Sequence, residues 1–173
     1  QKMIARLNPD GSADESFNIE FGFNWNPYVI VLQEDGKFIV GGVGGDMTDH
    51  IARFNNDGSQ DTNFCFGTNF NWNVITLALQ PDGKIIAGGD FTTFNGVVQN
   101  YIARLNNDGS LDSSFETKNG FNERLFTILL QPDGKIIAGG YFTSFNGIEC
   151  NYIARLNSDG SLDDQFNPGI GFD

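Results

Sequence analysis

The sequence predicts an all-β fold assembled from stacked repeats, and three observations carry that prediction. The phrase QPDGKIIAGG at residues 80–89 returns letter for letter at 131–140, with a looser copy, QEDGKFIVGG, at 33–42. A second phrase, IAR, places Arg6, Arg53, Arg104 and Arg155 at steps of 47, 51 and 51 residues. Phenylalanines recur in pairs six apart: Phe17 and Phe23, Phe64 and Phe70, Phe115 and Phe121, Phe166 and Phe172. Together these set a unit of about fifty residues, and self-similarity at that period marks a repeat architecture. The short step has one source, GGVGGDMTDHIAR, which runs four residues shorter than GGDFTTFNGVVQNYIAR.

The units follow in order. Residues 1–23 form the back half of one unit, and 24–70, 71–121 and 122–173 are whole units. Each whole unit reads as four short strands. VITLALQ is a mainly apolar run with β-branched residues, and PDG turns it into KIIAGG. Asp-Gly between two such runs is a strong hairpin signal. NYIARLN is the third strand, and NDGS turns it into a polar fourth, LDSSF. No window has helical spacing of apolar residues, and turn clusters interrupt the chain too often for a helix of about 10 to 12 residues.

A four-stranded unit of this size cannot bury both faces alone, so it must stack on copies of itself. Radial stacking gives a β-propeller, with the most apolar strand lining the axis and the most polar at the rim. The order here, ITLALQ inside and LDSSF outside, fits. The phrases LQPDGKIIAGG and IARLNNDGSLDSSF resemble the delta-60 repeat, a bacterial and phage β-propeller repeat, over nearly the whole chain. That resemblance implies a propeller in surface or secreted proteins, often as long arrays, with no general enzymatic activity attached to the repeat. Closed propellers typically need about four to eight blades, and three blades plus an outer half-blade fall short. The expectation is a segment of a larger propeller, with self-assembly of the segment as the alternative; one further inner strand pair would complete the opening blade.

Composition narrows the function. Ten Lys and Arg stand against 22 Asp and Glu, a net charge of −12. Such a surface repels phosphate backbones and anionic lipid heads, so nucleic acid is not an expected partner. Seven of the ten cations occupy recurring repeat positions, which leaves almost none for a basic patch. There is no apolar run of about 18 residues, so membrane insertion is not expected. Cys65 and Cys150 sit at different repeat positions and read as free thiols.

Several motifs invite a chemical reading. NNDGSLD at 106–112 has the look of a calcium loop, with Asn106, Asp108 and Asp112 as oxygen ligands. Yet the position that should open such a loop is Arg104 or its equivalent in every copy. The turn therefore reads as a tight hairpin in which the arginine pairs with the later aspartate, and no metal or cofactor is expected. GGDFTTFNG lacks the helix N-terminus or Lys-Ser/Thr ending of a phosphate cradle. His50, the only histidine, stands where Tyr101 and Tyr152 stand and reads as a packing residue. No carboxylate pair is unique to one unit, so no catalytic residue is nominated.

What is left is where units differ. In an up-and-down blade the PDGK and NDGS turns share one face, and the variable loops share the other. The variable face carries Trp25 and Trp72 at equivalent positions, together with Tyr28, Phe94 and Phe145. Loops on a rigid scaffold commonly carry recognition, and these five residues are the candidate ligand contacts. Phe23, Phe70 and Phe121 recur in every unit and read as core caps. The expected function is a non-catalytic interaction or structural module outside the cell or on a virion, engaging a protein or glycan partner or the rest of a larger assembly. A carbohydrate-binding adhesin and a carboxylate-dependent hydrolase are the alternatives.

Overall fold

A computed structural model describes residues 4–19, 26–43, 50–64, 70–167 and 169. In every whole unit the apolar run closes on its Asp-Gly turn as an antiparallel hairpin. β1 (Asn26–Leu32) pairs with β2 (Phe38–Val43), which pairs with β3 (Ile51–Phe54). In the second unit β4 (Val74–Leu79) and β5 (Ile85–Gly89) are followed by β6 (Thr93–Phe94), β7 (Val97–Val98) and β8 (Ile102–Leu105). The third repeats this with β9 (Leu125–Leu130), β10 (Ile136–Gly140), β11 (Ser144–Phe145), β12 (Ile148–Glu149) and β13 (Ile153–Leu156). The sheets run β4-β5-β8 and β9-β10-β13, all antiparallel.

The turn chemistry is local. In the second unit the Gly83 amide donates to Gln80 O at 2.9 Å and the Gln80 amide to Lys84 O at 2.8 Å. Gly83 takes φ +83°, a left-handed conformation that a residue with a Cβ rarely adopts.

Successive residues of a strand point to opposite faces, and each sheet uses both. From the second unit Val74, Leu77, Ile85, Ala87, Ala103 and Leu105 pack against Ile39, Ile51, Val29 and Val31 of the first. Ala78, Ile86 and Ile102 face the other way, onto Leu125, Ile128, Ile136 and Ala138 of the third. Each fully buried valine, leucine or isoleucine among them contributes about 1.5–3 kcal/mol. The Ile128 amide donates to Thr76 Oγ1 at 3.2 Å, a direct bond between units. The glycine that starts each Gly-Gly pair permits this approach. A Cβ on Gly41 would lie 2.7 Å from Val74 Cγ1, and one on Gly88 would lie 2.8 Å from Ile128 Cδ1.

The chain is thus a β-propeller segment of three blades, preceded by the outer part of another at residues 4–19. The predicted fourth strand is a correction. It is reduced to single bridges, Leu7↔Ala13, Phe54↔Gln60, Leu105↔Leu111 and Leu156↔Leu162. Asp112 is the cause in the second blade: its Oδ1 accepts from the Ser114 amide at 3.0 Å, and its carbonyl from the Phe115 amide at 3.2 Å. The chain curls away after one bridge and delivers Phe115 beneath Arg104.

A second difference lies in the loop between the second and third blade strands. TTFNGVV and TSFNGIE fold as two-residue hairpins, β6 with β7 and β11 with β12. Asn95 and Gly96 both have positive φ, 51° and 77°, the signature of a tight hairpin turn. Asn-Gly between strand-forming residues was the signal available in the sequence.

Candidate functional site

The two ends of the blades have different chemistry. At one end the inner and outer turns of a blade lie side by side, with Gly36 beside Asn56, Gly83 beside Asn107 and Gly134 beside Ser158. Here the repeat arginines are held by a shared set of contacts. Its Nε donates to Asp14, Asp61, Asp112 or Asp163 at 2.6–3.0 Å. Its guanidinium lies 4.6–4.9 Å from the ring centroid of Phe17, Phe64, Phe115 or Phe166. Nη1 of Arg6, Arg53 and Arg104 reaches forward to the carbonyl of Asn56, Asn107 and Ser158 in the next blade at 2.5–2.6 Å. Lys37, Lys84 and Lys135, which follow the inner turns, add an ammonium to Asp61, Asp112 and Asp163 at 2.7–2.8 Å.

The expected arginine–aspartate pair across the outer hairpin is therefore present in all four copies. Burial works to raise the Asp112 carboxyl. The Lys84 ammonium, the Ser114 hydroxyl and the Arg104 guanidinium outweigh it and hold Asp112 well below the ordinary carboxylate range. Lys135 and Arg155 bring Asp163 down to about 2. The turn itself is closed by side-chain hydrogen bonds. Asp108 Oδ1 accepts from the Ser110 amide and hydroxyl at 2.9 and 2.7 Å, and Asn106 donates to that same hydroxyl. These bonds give Asp108 Oδ1 a local role in shaping the turn.

The opposite end gathers the variable segments. The linker before β4 and the loop after β5 are tied together: Asn71 Oδ1 accepts from the Thr92 and Thr93 amides at 2.9 and 2.8 Å, and Asn73 donates to Asp90 at 3.0 Å. Trp72 stands between these two anchored asparagines and is 58% exposed. Tyr28 is exposed on β1. Trp25 lies outside the described residues, as does Cys65.

Phe94 and Phe145, expected as surface ligand contacts, are corrections: both are fully buried. Phe94 bridges to Phe70 and Phe145 to Phe121, with ring centroids 4.8 and 4.7 Å apart, edge to face. Phe91 and Phe142 complete these clusters at 4.1 and 4.3 Å from the same rings. The tight β6–β7 and β11–β12 hairpins turn the phenylalanine inward and put Val97, Val98 and Ile148 outside, exposed. Phe70 and Phe121 are buried caps, as read from their recurrence. His50 is buried, and its carbonyl accepts from the Gly42 amide at 3.1 Å, as Tyr101 and Tyr152 do for Gly89 and Gly140.

Sequence reasoning missed an exposed aromatic pair on the third blade. Phe126 and Tyr141 meet edge to face at 4.7 Å and line a groove of about 780 Å³ with Glu123 and Tyr152. The available signal was substitution between units, since Tyr141 stands where the second unit has Asp90. Cys150 is a free thiol that burial pushes up to about 11, so it stays protonated at neutral pH.

An all-β chain of stacked antiparallel blades, clasped by a repeated Arg–Asp–Lys network at one end and variable at the other, is by class a β-propeller repeat protein. The chain belongs to the family described as "Domain of unknown function (DUF5122) beta-propeller", whose model matches residues 3–17, 33–64, 80–115 and 131–166. The three longer matched stretches run from the glutamine of the inner hairpin to the phenylalanine under the arginine; Trp72 and Phe126 fall between them. Among solved structures the chain is similar to a protein of unknown function from Bacteroides caccae, at 12% identity and a TM-score of 0.35, over 91% of this chain and 72% of that one. No curated protein matches the sequence.

Proposed function

We propose that the chain is a non-catalytic interaction module of a surface, secreted or virion protein, which recognises a protein or glycan partner through its variable face. The observation that carries this reading is Trp72: a largely exposed indole on a linker fixed on both sides by asparagine hydrogen bonds. A flat apolar surface that is already rigid binds with little ordering cost. Asp61, Asp112 and Asp163 at the opposite end, by contrast, each hold an arginine and a lysine of their own blade, which supports a structural rather than catalytic use of them. The delta-60 resemblance and the matching propeller family are read as one repeat under two descriptions, since the matched stretches contain both recurring phrases. Localisation outside the cell rests on that resemblance.

Within this reading a glycan partner is the narrower form. Indole faces stack on sugar rings, and the hydrogen bonds of Asn71 and Asn73 hold the linker that presents this one. The test is a screen of immobilised glycans and candidate proteins, followed by titration of the hit against Trp72→Ala. Loss of affinity of about tenfold or more is expected for a central aromatic contact. Unchanged affinity in Trp72→Ala overturns the proposed face, and competition by free monosaccharide separates glycan from protein.

A further inference from the structure

The joint between the second and third blades carries, at its variable end, a group of charges that the frame does not use. Seven of the ten cations sit at repeat positions, and Arg124 is one of the three that do not. It lies on the linker before β9, where Glu123-Arg124 replaces the Trp-Asn found at residues 25–26 and 72–73. Whole blades flank the joint on both sides.

Arg124 is held through one edge. Its Nε lies 3.5 Å from Asp90 Oδ1 of the second blade and 3.5 Å from Glu123 Oε1. Asp90 is fixed in turn by Asn73, the residue after Trp72, whose Nδ2 donates to Asp90 Oδ2 at 3.0 Å. Asp90 Oδ1 is buried and accepts no hydrogen bond, so the guanidinium beside it is the charge that compensates it. Glu123 is fixed by its own linker, since its Oε1 accepts from the Arg124 amide at 3.0 Å. Tyr101 reaches the same place: burial first and then the Glu123 charge raise its phenol above the ordinary value, with Asp90 adding to the rise and Arg124 opposing it.

A donor fork and an acceptor are left side by side. Among the described residues the two terminal nitrogens of Arg124 donate no hydrogen bond and Glu123 Oε2 accepts none, and the two side chains are 45% and 46% exposed. The frame arginines differ, because Arg6, Arg53 and Arg104 each spend Nη1 on the following blade. The charges select what such a pair can take. Two carboxylates face one guanidinium, and the whole chain carries −12, so an anionic sugar meets net repulsion. An uncharged one meets none and can use both halves of the pair.

We propose that Arg124 and Glu123 form the polar half of a binding site for an uncharged sugar, in which one ring hydroxyl accepts from the Arg124 fork and its neighbour donates to Glu123 Oε2. This rests on the reading of Trp72 as a glycan contact and adds the class of sugar and the groups that recognise it. Trp72 offers the apolar face, and Asn73 and Asp90 join it to Arg124 as positioning residues.

The test titrates the chain with the methyl glycosides of glucose, galactose and mannose and with the matching uronic acids, read by ligand-observed NMR. Saturable binding of at least one neutral glycoside is expected, with its uronic acid weaker by about tenfold. Glu123→Gln should weaken the neutral sugar about tenfold, through loss of a charged acceptor. Arg124→Lys keeps a cation beside Asp90 but loses the planar fork, and should weaken it similarly. Thermal melts identify any variant whose fold is disturbed, and the comparison of neutral with acidic sugar needs no substitution. Binding of a uronic acid as tight as or tighter than that of its neutral parent overturns the proposal. So does stronger binding in Glu123→Gln, or no binding by any of the three glycosides. Affinity that falls in Trp72→Ala but is unmoved by Glu123→Gln and Arg124→Lys overturns this inference alone and leaves the reading of Trp72 standing. Loss in both pair variants with full affinity in Trp72→Ala supports the pair and overturns the reading of Trp72 instead.

Discussion

Arg104 concentrates the physics of the frame in one side chain. It is buried, bonds Asp112 within its own blade, covers the Phe115 ring and donates to Ser158 O of the next blade. Arg104→Ala leaves Asp112 buried with one cation in place of two, and should lower unfolding stability by about 3–5 kcal/mol, the usual cost of breaking a buried ion pair. Chemical denaturation checks it. Phe94 and Trp72 make an opposed pair by the same assay. Phe94→Ala should cost about 3–5 kcal/mol as a buried ring is lost, and Trp72→Ala should stay within about 0.5 kcal/mol as an exposed one is removed. Both are aromatics in variable loops, and the one signal in the sequence that separates them is the Asn95-Gly96 turn directly after Phe94, which folds its ring inward. The arginine–aspartate pair was legible because its partners sit eight residues apart across one hairpin. The lysine was not, because it arrives from a strand 28 residues earlier in the chain.

The hairpins and the Gly-Gly pairs govern how closely blades approach. A methyl on Gly88 would meet Ile128 of the next blade and Thr76 of its own at 2.8 and 2.9 Å. On Gly139, at the same position of the last described blade, it would meet only Thr127 that closely, at 2.9 Å. Gly88→Ala should therefore cost about 1–3 kcal/mol by overpacking, and Gly139→Ala measurably less, as read from paired thermal melts. Strands one to three were legible from apolar runs and Asp-Gly turns. The fourth was overread because its polar alternation suits a rim strand. Asp112 and its equivalents instead spend that segment on turn hydrogen bonds. The Asn-Gly hairpins were underread for the converse reason: two-residue strands are too short to show a period.

Across the whole molecule the aspartates set a response to acid. The folded-state values of Asp61, Asp112 and Asp163 lie below those of an unfolded chain. Their contribution is therefore complete above the unfolded carboxylate range near 4 and is lost as pH falls through the folded values, about 2 for Asp163. Melting temperature at constant ionic strength should hold nearly level from about pH 7 to 5 in respect of these groups and fall steeply between about pH 4 and 2. Asp112→Asn should flatten part of that slope. The joint between blades has a further consequence for how such a chain can change over time. Arg6, Arg53 and Arg104 grip the following blade chiefly by a main-chain oxygen, that of Asn56, Asn107 or Ser158, with the two asparagine side chains adding a longer contact. Because every residue type supplies that oxygen, the gripped turn is free to drift, as the serine among two asparagines illustrates, and a duplicated unit arrives already fitted to accept its predecessor.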